Sequence, residues 1–251
     1  MNPALEPMSR EAFVADITRD VPETPVYFLH SRDLNKSGPA VQDDRPMPPA
    51  LAPAEFARRA AGGAVVLDAR ADDAYMAGHV EGALHVSLDG QYASWVGTLV
   101  RPDQPILVVA EPGREVEAVM RLARVGYDRV DGLLAGGLEA WRADGRPVRA
   151  TPQQPVDGEA ARGRGVIDVR RPQEWERIHL EGATLIPLAQ LPARLDDLDR
   201  DREWLVVCAS GYRSAIAASV LERSGFRRVV NGSGGMDAYS RRMGSTSVAP
   251  A

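Results

Sequence analysis

The sequence predicts an α/β fold built twice over, two parallel sheets each flanked by helices on both faces, and three observations carry that prediction. First, VVLDARADDAYMAGHVEGALHVSL from Val65 aligns without gaps on GVIDVRRPQEWERIHLEGATLIPL from Gly165. The pairing sets Asp68 on Asp168, Arg70 on Arg170, Tyr75 on Trp175 and His79 on His179. Second, the likeness resumes in ILVVAEPGREVEAVMRLARVGY from Ile106 and WLVVCASGYRSAIAASVLERSGF from Trp204. Each is an apolar strand-like run, a short Gly-containing loop and a helix-period segment closed by Gly. Third, both repeats end in another short strand, a Gly-Gly pair (Gly136-Gly137, Gly234-Gly235) and a last helix, LEAWRADG or MDAYSRRM.

In chain order, residues 1–50 belong to neither repeat. Ser9 is placed to cap a helix through Phe13 and Ile17, and the five prolines of 38–53 favour extended chain, so the segment reads as a connector. The repeats are assigned to 51–150 and 151–244, with the Pro- and Gly-bearing stretch 145–165 as a linker and 245–251 as a disordered tail.

Composition narrows the function. No apolar run is long enough to span a bilayer, and the first residues, MNPALEPMSREAFVADI, lack the apolar core of a secretory signal, so a cytoplasmic protein without membrane association is expected. A net charge of −5, with both signs interspersed, offers no basic face for nucleic acid. The single cysteine excludes an internal disulfide. His30, His79, His85 and His179 are scattered, so neither a metal site nor a cofactor is expected.

That cysteine, Cys208, ends the strand-like run Leu205-Val206-Val207, at the sheet edge where open α/β folds place their ligands. A cysteine ending a Val-rich strand is usually a small buried hydrophobe, but the next six residues favour a reactive thiol. Ala209, Ser210, Gly211, Tyr212 and Arg213 form a tight loop running into a helix near Ser214. Gly211 permits backbone angles that turn amides inward into an anion-binding nest, and the positive end of the following helix points to the same place. The expected species is a thiolate held by more than one amide, with Arg213 drawing in an anionic donor.

The set Asp-Val-Arg at 168–170, His-Leu-Glu-Gly-Ala at 179–183, Cys-Ala-Ser-Gly-Tyr-Arg-Ser at 208–214 and Gly-Gly at 234–235 resembles the rhodanese superfamily. The resemblance implies two tandem rhodanese-like domains. It implies a sulfurtransferase in which Cys208 accepts a sulfane sulfur from thiosulfate or a small persulfide and passes it to cyanide or a thiol. It also implies that Ala209 to Ser214 cradle the substrate, that Asp168, Arg170 and His179 support the fold, and that Asp168 and Arg170 lie near the mouth, Arg170 as a further substrate-binding group. Related phosphatases place five residues between Cys and Arg, whereas here Ala209 to Tyr212 supply four.

In the first repeat Ala110 takes the place of the cysteine, Glu111 would oppose an anion and Pro112 removes an amide, so this repeat is expected to be inactive. Tandem rhodaneses commonly pair an inactive with an active copy in this way. The alternative is a non-catalytic docking or regulatory module for a sulfur-oxidising partner. VPETPVYFLHSRDLNKSGPA at 21–40 resembles the end of metallo-β-lactamase-fold, persulfide-dioxygenase-like proteins fused to rhodanese domains, which implies such a dioxygenase as a partner.

The remaining candidates read as structural. His79 and His179 recur in both repeats and suit hydrogen bonding, Asp68 and Asp168 suit helix capping or loop bracing, and Trp95, Trp141, Trp175 and Trp204 suit cores or the contact between repeats.

Overall fold

The computed structural model describes residues 7–18, 28, 32, 33, 35, 36, 38 and 46–246. The resemblance of 21–40 to another fold, most of the connector and the end of the tail therefore lie outside the described residues. Helix α1 (Arg10–Thr18) begins as its sequence predicts, with the Ser9 hydroxyl accepting from Ala12 N at 3.1 Å.

The first repeat holds β1 (Ala50–Leu51), α2 (Pro53–Ala61), β2 (Val65–Asp68), α3 (Asp72–Ala77), β3 (His79–Val80), β4 (Leu84–His85), α4 (Tyr92–Leu99), β5 (Ile106–Val109), α5 (Glu115–Ala123), β6 (Val130–Leu134) and α6 (Gly137–Ala143). After β7 (Val148–Arg149) the second follows as β8 (Gln153–Pro155), α7 (Gly158–Ala161), β9 (Gly165–Asp168), α8 (Pro172–Arg177), β10 (Thr184–Leu185), a 3-10 stretch (Leu188–Asp197), β11 (Trp204–Val207), α9 (Tyr212–Arg223), β12 (Val229–Ser233) and α10 (Gly235–Thr246).

The sheets run β1-β6-β5-β2-β4 and β8-β12-β11-β9-β10, the same order twice with every pair parallel. The central strands β2, β5, β9 and β11 are buried along their whole length, as strands covered on both faces must be, which is why Val, Leu and Ile fill them without alternation. The two-domain α/β reading holds.

The stretch 145–165, expected as a linker, forms structure of its own between the repeats. β7 pairs antiparallel with β3 (His79↔Arg149), Thr151 N donates to Met76 O, and β8 is the edge strand of the second sheet. Asp157 then caps α7 by accepting from Ala160 N at 2.7 Å. Pro and Gly punctuate this segment, yet its backbone groups are taken up by the repeats on either side; an edge strand tolerates Pro155 because it needs partners on one side only.

One apolar cluster joins the repeats, running from Leu51 and Phe56 in the first to Ile216 and Phe226 in the second. Its centre is α9, buried without a break from Ser214 to Glu222, and this accounts for its Ala- and Ser-rich composition: small side chains let β4 and β11 approach it from different sides. The Ser219 hydroxyl accepts from His85 N at 2.9 Å. Glu222 accepts from Thr151 Oγ1 at 3.0 Å and Arg149 Nε at 3.1 Å, with His79 Nε2 at 3.4 Å. The helix that follows the cysteine loop is thus fixed by groups from the first repeat and the segment between them.

Candidate active site

Cys208 lies just past β11, beside the end of β9, where Val169 N donates to Val207 O at 2.9 Å. The residue is 1% exposed; Ala209 is half-buried and Ser210 exposed, so the loop rises from the sheet edge into solvent. Gly211 takes φ +115°, the left-handed region that a side chain resists, and there its N–H donates to Cys208 Sγ at 3.1 Å. Ser214 Oγ donates to Gly211 O at 2.9 Å and accepts from the Cys208 thiol at 3.5 Å. Among the described residues a single amide reaches the sulfur, where several were expected, and Ser214 supplies the second polar contact.

The carbonyl side of the loop is held from behind. Met236 N donates to Cys208 O at 2.8 Å and Asp237 N to Ala209 O at 2.9 Å, so the first turn of α10 takes up the loop's acceptors and leaves the Gly211 amide for the sulfur. This explains the Gly-Gly pair. A Cβ on Gly235 would stand 2.5 Å from Cys208 O, closer than any side chain permits.

Arg213 does not stand free at the mouth. Its two terminal nitrogens donate to Glu174 Oε2 and Oε1 at 2.7 and 2.6 Å, a bidentate pair between α9 and α8. Arg213 holds the Glu174 carboxyl well below its ordinary 4.5, at about 2. In return Glu174 raises the Arg213 pKa, and burial opposes that rise. Tyr212 points to the first repeat, where its hydroxyl donates to Ser87 O at 3.3 Å.

Arg170, expected both to support the fold and to bind substrate, has its guanidinium committed within the protein. It is 3% exposed, paired with Asp168 at 2.9 and 2.7 Å, and donates to Ile178 O at 2.6 Å. Asp168 also accepts from Arg170 N at 3.0 Å, so both brace the turn after β9 rather than cap a helix. Asp68 and Arg70 repeat the arrangement, with Gly78 O as the end acceptor. His79 Nδ1 donates to Tyr75 O at 2.9 Å and His179 Nδ1 to Trp175 O at 3.0 Å, each ring stacked on the aromatic four residues before it. Trp141 and Trp204 are buried and Trp95 and Trp175 half-buried.

In the first repeat the corresponding loop is filled by the chain itself. Ala110 follows β5, Glu111 Oε1 accepts from Ala71 N at 2.6 Å, and Gly113 N, three residues after Ala110 as Gly211 is after Cys208, donates to Glu115 Oε2 at 2.7 Å.

Two functional residues were not visible in the sequence. Glu174 is 39 residues from Arg213, and its one signal was a carboxylate in the first turn of a helix after Pro172. Gly90, which packs on Tyr212, carries no local signal because the need for glycine there comes from the other repeat.

Comparison with known proteins identifies both repeats. The profile of the Rhodanese-like domain matches residues 52–144 and again 153–242. A sulfurtransferase of Allochromatium vinosum is 34% identical over 85 residues, 34% of this chain and 78% of the relative. The probable adenylyltransferase/sulfurtransferase MoeZ of Mycobacterium tuberculosis is 34% identical over 122 residues, 47% of this chain, which spans only 30% of that relative. A solved thiosulfate sulfurtransferase from Pseudomonas aeruginosa is 22% identical over 78% of this chain and 42% of its own, at a TM-score of 0.37. With both repeats matched along most of their length, this chain belongs to the rhodanese family as a tandem of two such domains.

Proposed function

We propose that the second repeat is a sulfurtransferase that carries sulfur as a persulfide on Cys208. The observation that supports this reading above all is the Gly211 amide aimed at Sγ from a left-handed backbone, a donor that stabilises negative charge on that sulfur. The Ser214 hydroxyl adds an adjustable partner: it accepts from the thiol and, once rotated off Gly211 O, donates to the thiolate.

The reaction is a double displacement. The Cys208 thiolate attacks the outer sulfur of thiosulfate, the donor S–S bond breaks with its electron pair leaving on sulfite, and a persulfide anion remains on the protein. A cyanide or thiolate acceptor then attacks the outer sulfur, and the Cys208 thiolate is regenerated. No external oxidant or reductant enters. A small persulfide serves as donor by the same step, with a thiolate leaving in place of sulfite.

The test is a donor screen under single-turnover conditions. Wild-type protein is expected to release one sulfite per chain from thiosulfate and then form thiocyanate on addition of cyanide, while Cys208→Ala does neither. Silence of the wild type with thiosulfate and with small persulfides would overturn the reading. The lead segment's resemblance supports a metallo-β-lactamase-fold persulfide dioxygenase as partner; co-purification that survives Cys208→Ala is the expected sign of such docking, and no complex with either protein would refute it.

A further inference from the structure

We propose that the loop 87–91 of the first repeat is a positioning element for the sulfur cradle of the second, acting through Tyr212. The proposal rests on the sulfurtransferase reading for its meaning, though its geometry is independent of it.

Gly211 is the residue whose amide meets the sulfur, and without a side chain it cannot hold its own orientation. Its neighbours must do so. On the Cys208 side, the amides of Met236 and Asp237 hold the carbonyls. On the far side stand Tyr212 and Arg213, anchored in opposite directions: Arg213 to Glu174 within its own repeat, Tyr212 to the first repeat.

The seat of Tyr212 is closely fitted. A Cβ on Gly90 would lie 2.5 Å from its Cε2 and 2.7 Å from its hydroxyl, so only glycine lets the ring rest there. The hydroxyl donates to Ser87 O. The seat is itself braced, since Arg121 on α5 donates to Gly90 O at 2.8 Å and to Leu88 O, and Ser87 Oγ accepts from Asp89 N at 3.1 Å. Burial raises the phenol pKa, Asp72 and Asp89 push the same way and Arg121 opposes them, so the hydroxyl stays neutral and remains a donor. A continuous path of contacts therefore runs from Arg121 through Gly90 and Tyr212 to the amide on Cys208.

This gives the repeat without a nucleophile a definite task in sulfur transfer. It also predicts coupling between Gly90 and Tyr212, because the first acts only through the second. The test is a double-mutant cycle of Gly90→Ala and Tyr212→Ala in the full chain. Two rates are read, alkylation of Cys208 by iodoacetamide and sulfur uptake from thiosulfate, with the melting temperature as a control. Each single change is expected to slow both rates by roughly ten- to a hundredfold, the scale of a small misplacement of reacting groups. The double variant is expected to be no slower than Tyr212→Ala alone.

Additive losses, or a fall in melting temperature with Cys208 rates unchanged, would overturn the proposal, as would wild-type Cys208 that resists iodoacetamide. Should Gly90→Ala not fold, Arg121→Met leaves the glycine in place and is expected to slow both rates severalfold; unchanged rates would overturn the proposal. The two readings fail separately: if Cys208 alkylates but takes sulfur from no donor, the sulfurtransferase reading falls while the alkylation cycle still decides the positioning.

Discussion

At the carboxyl end of β11 the chain turns through Gly211 and brings an amide to a sulfur; at the same place after β5 it turns through Gly113 and gives that amide to Glu115. The strand order around both turns is the same. What differs is which group receives the amides, and how tightly the following Gly-Gly pair presses on the loop. The Cβ position of Gly235 is 2.5 Å from Cys208 O, whereas that of Gly137 is 4.0 Å from Ala110 O. On the proposed reading, a rhodanese-like sheet does not by itself make a sulfur site. The site requires amides left unfilled by the protein's own side chains and a backbone pressed hard enough to aim them.

Moving the nucleophile is the severest challenge to this contrast. Ala110→Cys combined with Cys208→Ala is expected to lower steady-state sulfur transfer by on the order of 10⁴-fold or more, as for loss of a nucleophile outright, because Glu115 already takes the Gly113 amide and the Glu111 carboxylate stands next to residue 110. Transfer within tenfold of wild type would show that the loops are equivalent.

The next contrast is between glycines. Gly211→Ala and Gly113→Ala each force a side chain into the left-handed region and each should cost about 1–3 kcal/mol in chemical denaturation. Only Gly211→Ala should also slow sulfur uptake, by about a hundredfold, the scale of losing a preorganised donor.

A third contrast separates the histidines. His79 is 1% exposed against Glu222, while His179 is exposed, although both stack on an aromatic ring at about 4 Å. His79→Ala should cost about 1–3 kcal/mol by leaving buried polar groups without a partner. His179→Ala should stay within about 0.5 kcal/mol, as measured by the same unfolding curves.

The smallest effect concerns Glu174, which has Ala74 as its counterpart. A carboxyl whose folded pKa is lowered from 4.5 to about 2 stabilises the fold above 4.5 and loses that contribution as pH falls towards 2. The pair is partly exposed, so Glu174→Gln should cost no more than about 1 kcal/mol at neutral pH, and the difference from wild type should vanish in unfolding curves taken near pH 2.

The fold was legible because the repeat in the sequence made each half a check on the other, and because the buried strands carry unbroken apolar runs such as Leu205-Val206-Val207. Cys208 and Gly211 were legible for a local reason, a nucleophile and a flexible turn within four residues of each other. The commitment of Arg213 was not, since a sequence shows a charge but not whether Glu174 has already taken it. Neither was the difference between His79 and His179, which share one motif and one local geometry and are separated only by what the other repeat brings against them. Segment 145–165 misled through its prolines and glycines, because Gln153-Gln154-Pro155 is a polar edge strand whose place is set by β12 rather than by its own pattern.

Whether Cys208 alone holds transferable sulfur can be decided by intact mass after exposure to thiosulfate and rapid removal of excess donor. The expected result is the mass of one added sulfur on the wild type, removed again by cyanide, and none on Cys208→Ala. An unmodified wild type, or an adduct that persists in Cys208→Ala, would contradict it.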